Sequence, residues 1–350
     1  MSFNIDNIIR ENIKKLKSYS SARDEFQGEA SVYLDANENA FGSPLEKNYH
    51  RYPDPMAHAV KLELSKIKGV PPRNIFLGNG SDEAIDILFR SFCNPGIDNV
   101  IIVPPTYGMY EVSANINDIS LKRVNLTPDY QLDLEGIAAA IDVHTKMIFI
   151  CSPNNPTGNS IRREDVETLL ANFNGLVVVD EAYINFSRQK SFIQELTEYS
   201  NLVVLQTLSK AWGLAGLRVG MAFASEEIIE IFNKVKPPYN MNEASQELAL
   251  AALKNVDQVN EWIKHILKER DNLVLTLKGF DFVLDIYPSD ANFILVKTTD
   301  ANAVYNYLVE QGIIIRNRNK VELCEGCVRI TIGTPEENNT LTEALKNFRV

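Results

Sequence analysis

From residue 75 onward, short apolar runs alternate with amphipathic stretches. The run 75–77 reads as a strand, Gly78-Asn-Gly-Ser-Asp82 as a tight turn, and 83–92 as a helix with Ile85, Leu88, Phe89 and Phe92 on one face. Further apolar runs predict strands at 100–103, 121–124, 146–151, 176–179 and 202–205, with an amphipathic stretch to about residue 116 and a helix at 164–173. Beyond Ser209-Lys210 comes a loop carrying Gly213, Gly216 and Gly220, then helices at 226–235, 243–253 and 256–277. This rhythm predicts an α/β fold with a mostly parallel sheet covered by helices, whose ligands bind off the carboxyl ends of the strands.

Past residue 277 the pattern changes to α+β: strands at 282–287, 292–296, 313–315 and 328–332, and helices at 301–310 and 336–348. A large domain over 45–255 and a smaller one over 256–350 are expected, with the long helix 256–277 bridging them. At the other end, Ile5, Ile8, Ile9, Ile13 and Leu16 recur at helical spacing before a loop. Residues 1–44 are expected to form an arm associated with the small domain. The stretches 34–42 and 51–55 are rich in turn-formers, and Tyr52 before Pro53 is held extended, able to project away from its own domain.

Composition narrows the function classes. With 350 residues, 45% hydrophobic and 23% charged, the chain has the makings of a large core. Its formal net charge of −11 argues against nucleic acid or an anionic membrane as a general partner, so an anionic substrate needs locally gathered arginines. No segment is long and apolar enough to span a bilayer. The charged residues between Asp6 and Lys17 leave no apolar core for a signal peptide, which with the cysteine usage predicts a cytoplasmic protein. Cys93, Cys151, Cys324 and Cys327 are too few and scattered for a disulfide framework. Cys324-Glu-Gly-Cys327 has zinc-like spacing, but no second pair completes four ligands, so no metal is expected.

The candidate chemistry sits at strand ends. Lys210 follows a buried strand, where desolvation depresses an amine's pKa and makes it a nucleophile toward carbonyls; a surface lysine after an edge strand is the alternative. Asp180 closes a run of valines and has reason to be there only opposite a positive partner. Asn155, Asp180 and Lys210 lie 25 and 30 residues apart, about one βα unit each, so they can converge on one crevice. The turn at Gly80, Ser81 and Asp82 opens a helix and suits an anion, although Ser81 or Asp82 would also serve as a plain N-cap. Tyr107, just past a strand end, could stack on a planar ligand or fill core. Arg218 offers a fixed charge suited to a phosphate. Arg316 and Arg329 each border a strand of the small domain.

Taken together, Gly78-Asn-Gly-Ser-Asp, Pro104-Pro-Thr-Tyr, Ser152-Pro-Asn-Asn-Pro-Thr-Gly, Val178-Val-Asp-Glu-Ala-Tyr and Ser209-Lys-Ala-Trp-Gly-Leu-Ala-Gly-Leu-Arg-Val-Gly resemble, in order, the motifs of fold-type I pyridoxal-phosphate aminotransferases. The resemblance implies that Lys210 holds pyridoxal 5'-phosphate through its amine and shuttles the proton. It assigns Asp180 to the pyridinium nitrogen, Asn155 and Tyr183 to the phenolic oxygen, and Tyr107 to the ring face. Gly80, Ser81, Asp82, Ser209 and Arg218 are implied as phosphate binders, joined by Tyr52 from a neighbouring subunit, hence a homodimer.

Within that superfamily the chain is most similar to the histidinol-phosphate aminotransferases, through Tyr19-Ser-Ser-Ala-Arg23, Leu34-Asp-Ala-Asn-Glu-Asn, Arg51-Tyr-Pro-Asp-Pro, Pro104-Pro-Thr-Tyr-Gly-Met-Tyr and Val328-Arg-Ile-Thr-Ile-Gly-Thr. That family exchanges an amino group between histidinol phosphate and 2-oxoglutarate, and Tyr19, Arg316 and Arg329 match the residues it uses for the substrate. Ser18 departs from the family's frequent proline. An aromatic-amino-acid aminotransferase or a threonine-phosphate decarboxylase would share the same scaffold. A DNA-binding regulator would need an added basic domain, for which the chain has no room.

Overall fold

The computed structural model describes residues 3–19 and 30–349. Eleven strands form two sheets: β1 (Ile75–Asn79), β2 (Asn99–Ile102), β3 (Ser120–Arg123), β4 (Thr145–Cys151), β5 (Leu176–Asp180), β6 (Leu202–Thr207) and β7 (Val219–Ala224) in one, and β8 (Val283–Ile286), β9 (Phe293–Thr298), β10 (Arg316–Asn317) and β11 (Cys327–Thr331) in the other. The larger sheet has the order β1-β7-β6-β5-β4-β2-β3. Its pairs from β6 through β3 are parallel, and both β1 and β6 run antiparallel to β7. The smaller sheet, β10-β11-β9-β8, is antiparallel throughout.

Strict alternation explains why the strands read as continuous apolar runs. Ile148, Ile150, Val177, Val179 and Val204 pack on one face of the large sheet; Met147, Phe149, Val178, Val203 and Leu205 pack on the other. Both faces are covered, as a parallel sheet requires. The small sheet divides in the same way. Phe293, Leu295 and Cys327 join the large sheet's core, whereas Ile294, Val296, Val328 and Ile330 meet the helices Ala301–Glu310 and Pro335–Lys346. The helix Val256–Leu277 spans both regions, burying Val259 and Ile263 in the first core and Leu273 and Leu277 in the second.

The structure corrects the sequence reading on four points. β7 was expected to be loop, because Gly220 looked like punctuation. A Cβ on Gly220 would stand 2.1 Å from Gly80 C and Ser81 N, so this glycine admits the β1 turn against the strand. The helix expected from Ile5 to Leu16 is two short turns, Ile5–Asn7 and Glu11–Lys14, separated by an extended Arg10 whose N–H donates to Ser91 O at 3.0 Å. This part of the arm, expected beside the small domain, packs on the large one instead: Ile8 and Ile13 share a cluster with Phe92 and Ile229. The third edge moves along the chain. β10 is the pair Arg316–Asn317 rather than the preceding isoleucines, which places Arg316 itself on the ladder.

Candidate active site

Because β7 runs antiparallel to both neighbours, β1 points the same way as β6, and the carboxyl ends of β1, β2, β4, β5 and β6 meet along one edge. A cavity of about 640 Å³ opens there. From β1 it receives Gly80, Ser81 and Asp82, from the loop after β2 Tyr107, from β4 Asn155, from β5 Asp180 and Tyr183, and from β6 Ser209 and Lys210. Arg218 enters from the start of β7. The small sheet closes the opposite side with Arg316 and Arg329.

Asp180 is 2% exposed and accepts hydrogen bonds from Tyr110 Oη at 2.7 Å and from the Ala182 N–H at 3.1 Å. Burial raises its pKa to about 6, and those two hydrogen bonds work in the opposite direction. No cation pairs with it among the described ion pairs, so a positively charged ring nitrogen is the partner its position calls for. Lys210 opens onto the cavity, with Nζ 5.5 Å from the Tyr183 ring centre. Burial of its amine, then the nearby Arg329 charge, lowers its pKa against the pull of Asp180. The shift favours the uncharged, nucleophilic form of the amine. Burial also pushes the Tyr183 phenol well up, so it stays protonated as a hydrogen-bond donor.

The phosphate expected from the resemblance fits the rim at β1 and β7. The helix Ser81–Phe92 begins without a side-chain cap, leaving its first N–H groups to an anion. Arg218 donates from Nη2 to Asp82 Oδ2 at 3.2 Å, Tyr107 Oη donates to Asp82 Oδ1 at 3.1 Å, and the Gly80 N–H donates to Arg218 O at 2.8 Å. Gly80 has φ +73, and a Cβ there would come within 2.7 Å of Arg218 Nη2. Asp82 thus positions Arg218 and Tyr107 rather than capping its own helix. Uncapped N–H groups, a guanidinium and a hydroxyl at Ser209 make a donor set for a phosphate, above a buried carboxylate for a ring nitrogen.

Across the cavity Arg316 pairs in register with Arg329. Arg329 donates from Nη1 to Asn155 Oδ1 and lies 5.0 Å from the Phe293 ring centre, which ties the small sheet to the end of β4. Two of the expected residues stand elsewhere. Tyr52 is 49% exposed, stacked on Tyr239 with ring centres 4.4 Å apart, in a separate groove of about 580 Å³. Tyr19 is 73% exposed and does not line the cavity; the remainder of its motif, through Arg23, lies outside the described residues.

Two cavity-side residues escaped the sequence reading. Tyr110 lies one helical turn beyond Tyr107 and orients Asp180; its place in Pro104-Pro-Thr-Tyr-Gly-Met-Tyr was visible, its partner was not. Tyr110 is fully buried behind the cavity, whereas Arg318 lines it. Its signal was the spacing Arg316-Asn-Arg318, which alternation puts on one side of an extended chain.

The profile described as "Aminotransferase class I and II" matches residues 32–345. A histidinol-phosphate aminotransferase of Cytophaga hutchinsonii is 55% identical over 348 residues, covering 99% of this chain and 100% of that protein. Among solved structures, the histidinol-phosphate aminotransferase of Clostridium acetobutylicum superposes with a TM-score of 0.78 at 26% identity, covering 85% of this chain and 90% of its own. The Sinorhizobium meliloti enzyme, in complex with pyridoxal-5'-phosphate, superposes with a TM-score of 0.77 at 26% identity, covering 89% and 90%.

Proposed function

Since the chain belongs to the aminotransferase class I and II family, we propose that it exchanges an amino group between L-histidinol phosphate and 2-oxoglutarate, yielding imidazole acetol phosphate and L-glutamate, as a step of histidine biosynthesis. The observation that carries this reading is that Lys210, with a buried carboxylate near it, shares its cavity with Arg316, Arg318 and Arg329, which no carboxylate pairs among the described residues. A donor that presents a phosphomonoester where an ordinary amino acid has its carboxylate needs that surplus of positive charge. Relatives of more than half-identical sequence along the whole chain carry the same activity in their names.

Pyridoxal 5'-phosphate, when bound, supplies an electron sink for the bond broken at the substrate's α-carbon. The residues of the chain do the rest. Lys210 Nζ is the amine that would hold the cofactor, and once free it would carry the proton away from and back to the substrate carbon. Asp180 keeps the ring nitrogen protonated, and Tyr110 fixes which oxygen it presents. Asn155 and Tyr183 would hold the cofactor's phenolic oxygen, and Asn155 Oδ1 accepts from Arg329 on the small sheet. Tyr107 covers the ring. Gly80, Ser81, Asp82, Ser209 and Arg218 hold the cofactor phosphate.

Further parts of the reading concern assembly. Tyr52 faces outward from its own subunit, so in a homodimer it reaches the neighbouring phosphate site, and the exposed Leu34, Phe41 and Leu45 near it mark the face that is covered. Tyr19 joins Arg316 and Arg329 around substrate once the arm is seated. The domains divide near residue 255, and the free thiols at all four cysteines fit a cytoplasmic enzyme. The deciding experiment compares kcat/KM for histidinol phosphate, phenylalanine and tyrosine. Preference for the phosphorylated donor is expected; preference of tenfold or more for the aromatic donors would replace it with an aromatic-amino-acid aminotransferase.

A further inference from the structure

Arg316 and Arg318 stand two residues apart on the β10 edge, so their side chains leave the same side of the chain. Arg316 is directly opposite Arg329. Arg318 extends the ladder, its N–H donating to Cys327 O at 2.9 Å. Three guanidiniums therefore share one face, and all line the cavity above Lys210. Like charges facing each other across strands are unfavourable. Here none of the three is relieved by a carboxylate among the described ion pairs.

Arg318 is the least satisfied of them. It is half-buried, and its Nε is buried with no hydrogen-bond partner. Burial, then the charge of Arg316, pulls its pKa down from that of an ordinary arginine. Its side chain makes no hydrogen bond among the described contacts; only its backbone is engaged, accepting from the Val321 N–H at 2.9 Å as well as pairing with Cys327. A side chain so placed does little for the fold, and its repulsion from the neighbouring guanidiniums costs electrostatic energy. An anion in the cavity reverses that sign.

The charge count points to which anion. One guanidinium satisfies one carboxylate through two parallel hydrogen bonds. A phosphomonoester carries about −1.5 to −2 charges near neutral pH and offers three acceptor oxygens. We infer that Arg318 is a further specificity-determining residue, a third guanidinium that joins Arg316 and Arg329 and sharpens selectivity for a dianionic phosphomonoester on the amine donor. This rests on the donor proposed above and adds a residue that the motif likeness did not single out.

The test uses the holoenzyme and its R318Q and R318K variants, with kcat/KM measured for histidinol phosphate and for phenylalanine, and with inorganic phosphate as a competitive inhibitor. In R318Q the ratio of the two kcat/KM values is expected to fall about 10–100-fold, carried by KM, as for loss of a hydrogen bond between charged groups. Inhibition by inorganic phosphate should weaken about tenfold in parallel, and R318K should recover part of both. A ratio in R318Q within about threefold of wild type would overturn the role of Arg318 alone. An equal loss for both donors would also overturn it, assigning the residue to positioning Tyr183. A wild-type enzyme with no preference for the phosphorylated donor would instead remove the proposed function, and this inference with it.

Discussion

The floor of the cavity, along the large sheet, and its arginine-bearing wall, on the small sheet, meet their charges in opposite ways. On the floor, Asp180 is held by Tyr110 and the Ala182 N–H, and Asp82 holds Arg218 and Tyr107. These side chains sit at, or close beyond, the ends of strands buried on both faces, and they bond one another, so their geometry is set before any ligand arrives. On the wall, Arg316, Arg318 and Arg329 face one another, and among the described residues their side chains have a single hydrogen-bond partner, the neutral Asn155. The floor is built to fix a resident group, which must be held identically through every turnover. The wall has to accept two chemically different anions in alternation, and its charges are left for those anions to neutralise.

This contrast predicts that floor substitutions act on kcat and wall substitutions on KM. The largest effect is expected for Lys210→Ala, with kcat lowered by about 10⁴-fold or more, since both the nucleophile and the proton carrier are lost. Single-turnover absorbance should still report cofactor bound without covalent attachment; borohydride labelling of another lysine would break the assignment. Asp180→Asn comes next, lowering kcat by about 10²–10³-fold with little change in KM, because the ring nitrogen loses its countercharge. Equal changes in KM would erase the contrast.

Arg329→Ala and Arg316→Ala should raise KM for histidinol phosphate about 10–100-fold, and raise it for 2-oxoglutarate as well. If only the acceptor suffers, phosphate recognition lies elsewhere. A smaller effect concerns pH. The Asp180 carboxyl of the cofactor-free protein titrates at about 6, above its unfolded value. The folded protein therefore binds more protons than the unfolded chain between pH 4 and 6, and apoprotein stability falls as pH rises through that window. Cofactor affinity runs the other way, weakening below about pH 6 as the carboxylate is lost. Tyr110→Phe removes a hydrogen bond to the ionised form, so its midpoint should move to higher pH, with kcat at pH 8 reduced about tenfold or less. Calorimetric titration of cofactor into the apoprotein across pH 5–8 checks both. Smallest is Tyr52→Phe, expected to weaken cofactor binding about threefold to tenfold. If the loss vanishes on dilution to monomer, the residue acts across subunits.

Much of this arrangement was legible along the chain. Helices at 226–235, 243–253, 256–277 and 301–310 end where periodicity ends, because their apolar spacing and flanking breaks agree. Lys210, Asp180, Asn155 and Tyr107 could be placed at strand ends, since a parallel sheet delivers every such end to one edge. β7 was not legible. Gly220 signals a turn by itself, and only the β1 turn lying against it shows why a strand needs a glycine there. Tyr110 and Arg318 were missed for a related reason: a helix-start tyrosine and a strand-edge arginine look ordinary until a partner seventy residues away, or a facing arginine, gives them a role.

Residue type and local spacing thus determined the α/β architecture, the place of Lys210 at a strand end and the family to which the chain belongs. These depend on propensity and on period, which act over a few residues. The tertiary structure decided which charges are answered. It put Tyr110 on Asp180 and Asp82 on Arg218, and left the Arg318 guanidinium without a carboxylate among the described residues, because pairing of charges depends on distance through space between segments far apart in sequence. It also turned Tyr52 away from its own site. What remains open in the cavity is the set of guanidiniums, and their number follows from the register of β10 on β11.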